Sequence, residues 1–202
     1  GERGTDVARE AAALVLLDDS FARIVAAIRQ GRRIYDNIEQ ATRFVFAVHV
    51  PVVALALVPA LLGWPVLLLP VHIVLLELLI DPACSVVFAA EPEADDVMSR
   101  PPRPAGRSPF SRANTTGGLL QGLGLAVLLL AANALLRHWG IGDAEARTTV
   151  FATLVVDVLL LTLANRQRPF AIQRRTTDSP WVARMALAIA VLLAVVLAFG
   201  PL

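Results

Sequence analysis

Apolar residues in this chain are gathered into five long blocks, about residues 44–63, 66–90, 117–136, 148–164 and 181–199. An α-helix rises about 1.5 Å per residue, so roughly 20 residues cover the hydrocarbon core of a bilayer. The spacing therefore predicts five membrane-spanning helices. Only Gly63-Trp64-Pro65 separates the first two, which implies an antiparallel helical hairpin with Trp64 at the membrane interface. The expected fold class is mainly α, a polytopic transmembrane helical bundle.

Residues 1–43 read as soluble. The run Ala11–Leu17 is short and apolar, and its periodicity does not separate a buried strand from a short helix. Asp19 and Ser20 then offer an N-cap for a helix starting near Phe21. Along it Ile24, Ala27, Ile28, Ile34, Ile38 and Ala41 follow a period near 3.6 residues, and the helix is expected to run on into the first membrane block.

Polar positions add a direction. All 18 basic residues are Arg, which excludes lysine-dependent chemistry and suggests a GC-rich coding bias. They concentrate in residues 1–43 and in the loops 91–116 and 165–180, whereas the links 64–66 and 138–146 carry none. The positive-inside rule places the Arg-rich segments, with the N-terminus, in the cytoplasm. The Arg clusters themselves read most simply as topology determinants. A net charge of +1 gives no reason to expect a nucleic-acid partner, and the single Cys excludes an internal disulfide. Residues 1–10 lack the apolar core of a signal peptide, and a start without Met reads as a fragment.

Candidate chemistry lies inside the apolar blocks. Glu77 and Asp81 are four residues apart and share a helical face. An ionised group at the bilayer centre costs roughly 2.5–3.5 kcal/mol on insertion scales, so the pair calls for a cation, a proton or a water-filled cavity. A protonated or Arg-paired structural pair is the plainer alternative. Pro82 has no N–H and leaves the Leu78 carbonyl without its helical partner, and Pro51 does the same to Ala47. Freed carbonyls beside carboxylates suit a hard cation. His49 could be a ligand, a proton relay or a neutral hydrogen-bonded packing residue. Asp157 could join the same cavity or pair with a neighbouring helix. His72 reads as interfacial, and Cys84 and Ser85 as small packing residues. Gly118 and Gly122 have the small-xxx-small spacing of close helix contact.

Residues 4–44 resemble the end of the phosphorylation domain and the stalk of cation-transporting P-type ATPases. The specific pieces are Gly4-Thr5-Asp6-Val7-Ala8, Leu17-Asp18-Asp19-Ser20-Phe21, and Gly31-Arg32-Arg33-Ile34-Tyr35-Asp36-Asn37. A second stretch, from Pro70-Val71-His72 through Glu77 and Asp81 to Glu91-Pro92, resembles the sixth transmembrane helix of the calcium-pump-like branch. The resemblance implies that residues 1–43 end a haloacid-dehalogenase-like α/β domain and its stalk. It makes the five blocks of residues 44–202 transmembrane helices five to nine. It carries Asp81 over directly as a cation ligand. Glu77 replaces an amide, Ile80 removes a ligand, and His49 and Val52 stand where calcium pumps present an Asn and a Glu. Calcium, another divalent ion, a monovalent ion and a proton-coupled cycle therefore all stay open.

The resemblance also implies ATP and Mg2+ in the full-length enzyme, at sites outside this chain. The Asp-Lys-Thr-Gly-Thr and Thr-Gly-Asp-Gly-Val-Asn-Asp motifs are missing here, so the chain alone is expected to be inactive. The reading is the C-terminal membrane portion of an ATP-driven cation pump in a bacterial plasma membrane. Its partners are the bilayer, the transported cation and the missing N-terminal parts of the pump. The alternatives are a non-catalytic membrane protein that assembles with or regulates a transporter and, more weakly, a passive channel.

Overall fold

The computed structural model describes residues 4–13, 15, 20–104, 106, 108–166 and 180–198. Leu14, Leu16, Leu17 and Asp19 fall outside the described residues, as do Arg168, Arg174 and Arg175 of the second basic loop and the side chains of Cys84 and Ser85. A short helix α1 (Asp6–Ala11) is capped by the Thr5 hydroxyl, which accepts from the Ala8 N–H. Helix α2 (Phe21–Leu62) is a single 42-residue rod, so stalk and first apolar block are one element. It passes Gly31, Pro51 and Pro59 without ending. It stops at Gly63, whose φ of +66° is the left-handed conformation that glycine adopts most readily; the Gly63 and Trp64 N–H groups both return to the Pro59 carbonyl.

The chain then runs without regular structure, bending at Leu67, to Leu69, and helix α3 (Pro70–Pro82) begins. The second apolar block thus enters its helix at Pro70 rather than Val66, because a proline at the first helical position needs no N–H partner. Beyond Pro82 the helix widens into a π-helical turn, Ala83–Phe88. The Ala83 N–H goes to the Leu79 and Ile80 carbonyls, four and three residues back, so it does not replace the bond that Pro82 denies the Leu78 carbonyl. Helices α4 (Arg112–His138), α5 (Asp143–Ala164) and α6 (Pro180–Ala198) complete the order. Four spans, Phe21–Leu62, Pro70–Phe88, Arg112–His138 and Asp143–Ala164, are long and apolar enough to cross a membrane; in α6 the corresponding described stretch is the shorter Ala183–Ala194.

The core is a seam between α2, α3, α5 and the π-helical turn, with Phe44, Leu55, Leu76, Ile80, Phe88 and Phe151 almost fully buried. Helices α2 and α4 form the most extensive pair. Two glycines make that approach possible. A Cβ on Gly118 would lie 2.6 Å from the Arg43 carbonyl oxygen, and one on Gly122 would lie 2.7 Å from that of Ala47. Ala47 is the residue whose carbonyl Pro51 leaves without a helical donor. Gly122 covers that oxygen, so it faces α4 and is not a free ligand.

His72 departs from the interfacial reading. It is 2% exposed, its ring stacks on Phe151 at 4.4 Å, and its Nδ1 accepts the Leu69 N–H. It fills the seam and satisfies an amide at the start of α3, whose first N–H groups have no helical partner.

Candidate cation site

At the arginine-rich end, α2 is laced to the loop that follows the π-helical turn. The Arg32 guanidinium donates to the Val97 and Arg100 carbonyls at 2.8 and 2.7 Å. Arg33 Nε donates to the Glu91 carbonyl at 2.9 Å, and Asn37 Nδ2 to the same oxygen at 3.1 Å. Asp36 is buried and pairs with Arg100 at 2.8 Å and with Arg103, whose guanidinium also lies over the Tyr35 ring. Arg166, just past α5, donates to the Glu91 carboxylate at 2.8 Å. Most of these contacts span 50 or more positions of sequence, so arginines that read as topology markers also hold α2, the loop and α5 together. Asp36 and Glu91 are their carboxylate partners. An acidic residue amid arginines on a helix that must approach the bundle was the available signal.

Deeper in, α2 carries His49 and α3 carries Glu77. His49 Nδ1 lies 2.8 Å from the Val45 carbonyl, four residues back along α2, and its Nε2 lies 3.6 Å from Glu77 Oε1. A carbonyl only accepts, so the hydrogen bond puts the proton on Nδ1. The neutral ring then turns the bare Nε2 lone pair toward a carboxylate oxygen. With that tautomer the contact becomes favourable when a positive species lies between or on the two groups. A proton on Nε2 would do this, and so would a metal ion. Two ligands at about 2.1 Å from one tetrahedral ion lie about 3.4 Å apart, close to the observed separation.

The structure thus joins His49 to Glu77, and both are about half exposed at the side chain. It does not join the other candidates to them. Asp81 lies one turn further along α3, exposed, and among the described residues no three His, Cys, Asp or Glu side chains form a metal-binding group. Asp157 is buried on α5, and its Oδ2 accepts no hydrogen bond from the described residues. Val52 and Ile80 are buried apolar residues of the seam.

Residues 65–202 match the family described as cation transporting ATPase, C-terminus. The calcium-transporting ATPase of Bacillus subtilis is 32% identical over 203 residues, covering all of this chain and 23% of that protein. Calcium-transporting ATPase 1 of Bacillus cereus is 40% identical over 111 residues, 55% of this chain and 12% of the relative. Calcium-transporting ATPase 4, endoplasmic reticulum-type, of Arabidopsis thaliana is 38% identical over 103 residues, 51% of this chain and 10% of the relative. The chain belongs to the C-terminal family of cation-transporting ATPases and is an integral membrane protein. It spans less than a quarter of the length of these curated relatives.

Proposed function

We propose that this chain is the C-terminal membrane portion of an ATP-driven cation pump, and that His49 and Glu77, with Asp81 on the same face of α3, form its part of the transported-cation site. The observation that carries the reading is the proximity of His49 Nε2 and Glu77 Oε1, 3.6 Å apart on two helices. Asp157 is a further carboxylate that a rearranged bundle could turn toward the ion. The names of the relatives make calcium the first ion to try, while the imidazole suits softer divalent ions equally well.

ATP and Mg2+ chemistry we assign to parts of the pump outside these 202 residues, because the phosphorylated-Asp and magnesium-loop motifs do not occur in them. What this chain supplies is the cation ligands and the rod that reaches them. Helix α2 is continuous from Phe21 past His49, so a tilt imposed at its arginine-rich end moves His49 relative to Glu77 on α3. A change in that separation changes cation affinity, and transport is directional when affinity differs between two states. The arginine-rich end, with residues 1–43, is then the cytoplasmic side.

The test is cation-stimulated ATPase activity of the whole pump. Glu77→Gln and Asp81→Asn are expected to raise the cation concentration for half-maximal activity. Unchanged cation dependence in both would remove the site assignment.

A further inference from the structure

The ligand set at the His49–Glu77 pair bears on which ion it takes. His49 Nδ1 lies 2.8 Å from the Val45 carbonyl, so the ring donates there and presents Nε2 to Glu77. This is the arrangement of a metal-bound imidazole, whose second nitrogen donates to a carbonyl or carboxylate and fixes the ring. Glu77 Oε1 stands 3.6 Å from Nε2, on the other helix. An ion about 2.1 Å from both atoms closes that separation at an angle of roughly 118°, between tetrahedral and trigonal. The two side chains are 41% and 44% exposed, so an ion and its waters can reach them.

The surroundings are poor in oxygen. Within four residues of His49, α2 carries only Ala, Val, Phe and Pro; within four residues of Glu77, α3 carries Ile, Val, Leu and one further carboxylate, Asp81. The Ala47 carbonyl that Pro51 releases is covered by Gly122. Calcium gathers about six to eight oxygens and leaves an imidazole nitrogen unused, so it would need at least about four more oxygens here. A zinc-like ion takes about four ligands in all, accepts imidazole beside carboxylate, and finds two of them in place. Resting on the reading of this pair as part of the transported-cation site, we infer that the ion is a divalent transition-metal ion of the zinc, cobalt(II) and nickel(II) class. His49 Nε2 and Glu77 Oε1 hold it, with water in the remaining positions. A proton on Nε2 would make the same two groups an ordinary ion pair, and metal binding displaces that proton.

Cobalt(II) is the probe, titrated into the whole pump in detergent, because its visible absorption is strong in a four-coordinate nitrogen–oxygen site and weak in water. The parent is expected to develop that band, to lose it to zinc, and to keep it in about a hundredfold excess of calcium, a preference of two decades in affinity. In His49→Asn, which offers an oxygen in place of the nitrogen, the cobalt concentration for half-saturation should rise at least about tenfold while that for calcium does not rise. Glu77→Gln should weaken cobalt binding as much. Should either variant fail to fold, cobalt is soaked into crystals of the parent and located by anomalous scattering, with a peak within bonding distance of both atoms expected. The inference is overturned by a parent with no band, by a band that calcium removes at or below that excess, by full cobalt affinity in either variant, or by a peak elsewhere alone. If calcium then stimulates the ATPase of the parent and Glu77→Gln weakens that effect, the cation-site reading survives and the transition-metal assignment alone falls. If neither His49 nor Glu77 alters the dependence on any ion, both fall.

Discussion

Replacing Gly118 or Gly122 by alanine should loosen the α2–α4 pair, although alanine is the better helix former. At Gly118 the added Cβ would sit 2.6 Å from the Arg43 carbonyl oxygen and 2.9 Å from Phe46 Cβ. At Gly122 it would sit 2.7 Å from both the Ala47 carbonyl oxygen and Val50 Cβ. Ordinary contact begins near 3.4 Å, so α4 has to back away by about 0.7–0.8 Å at either position. No rotamer change relieves the contact, because backbone meets backbone. Overpacking of this kind costs about 1–3 kcal/mol, against a helix-propensity gain of up to about 1 kcal/mol for Gly→Ala. Gly124 is on the same helix with nothing within 4 Å of its added Cβ, so Gly124→Ala collects the gain alone. Relative to Gly124→Ala, each of the other two should be less stable by about 1–3 kcal/mol. The assay is thermal melting of the whole pump in detergent, followed by loss of the monodisperse peak in size-exclusion chromatography. If all three alanine variants melt together, the close approach of the two helices at these glycines is refuted.

Three further outcomes follow from contacts at the two ends of the bundle. Asp36→Ala removes the shared partner of Arg100 and Arg103 and should cost about 1.5–3 kcal/mol, with faster proteolysis in the loop 89–111 as the readout. Restoration of wild-type protection by the alanine variant would show that the loop is held elsewhere. Phe151→Ala removes the ring that stacks on His72 and should cost about 3–5 kcal/mol, measured as a drop in melting temperature. A conservative His72→Phe should cost less than that, since it keeps the stack and loses only the bond to the Leu69 N–H.

The parts of this fold that were legible in the sequence are those set by local pattern. The apolar blocks marked helices, the 3.6-residue period of Ile24–Ala41 ran into the first block without a break signal, and α2 is one rod as that continuity implied. The glycine spacing marked a close contact, and the structure shows which backbone it meets. Proline chemistry was half legible. Pro82 does deprive the Leu78 carbonyl, but nothing in the spacing marked the widening of the next turn into a π-helix, whose Phe88 packs against Phe44, 5.3 Å between rings. Pro51 does release the Ala47 carbonyl, yet Gly122, 75 positions away, covers it.

Long-range partners were not legible. Asp36 finds Arg100 and Arg103 across 64 and 67 positions, and the arginines carry no local sign of which carbonyl or carboxylate they meet. His72 looked interfacial because its distance from the block's end was the only cue, whereas Phe151 and the Leu69 amide decide its place. In the candidate site, helical periodicity put Glu77 and Asp81 on one face. The contact of Glu77 with His49 depends on how α3 lies against α2, which no spacing in either helix specifies.

Whether a pump moves a cation through the His49–Glu77–Asp81 face is decided by transport. The whole pump in sealed vesicles would be given ATP and, in turn, calcium and other divalent and monovalent ions, with ion accumulation followed over time. ATP-driven accumulation of a cation is expected, falling at least about tenfold in Asp81→Asn and in Glu77→Gln, the loss of one charged ligand contact. Accumulation that proceeds at the parent rate in the double variant would contradict it.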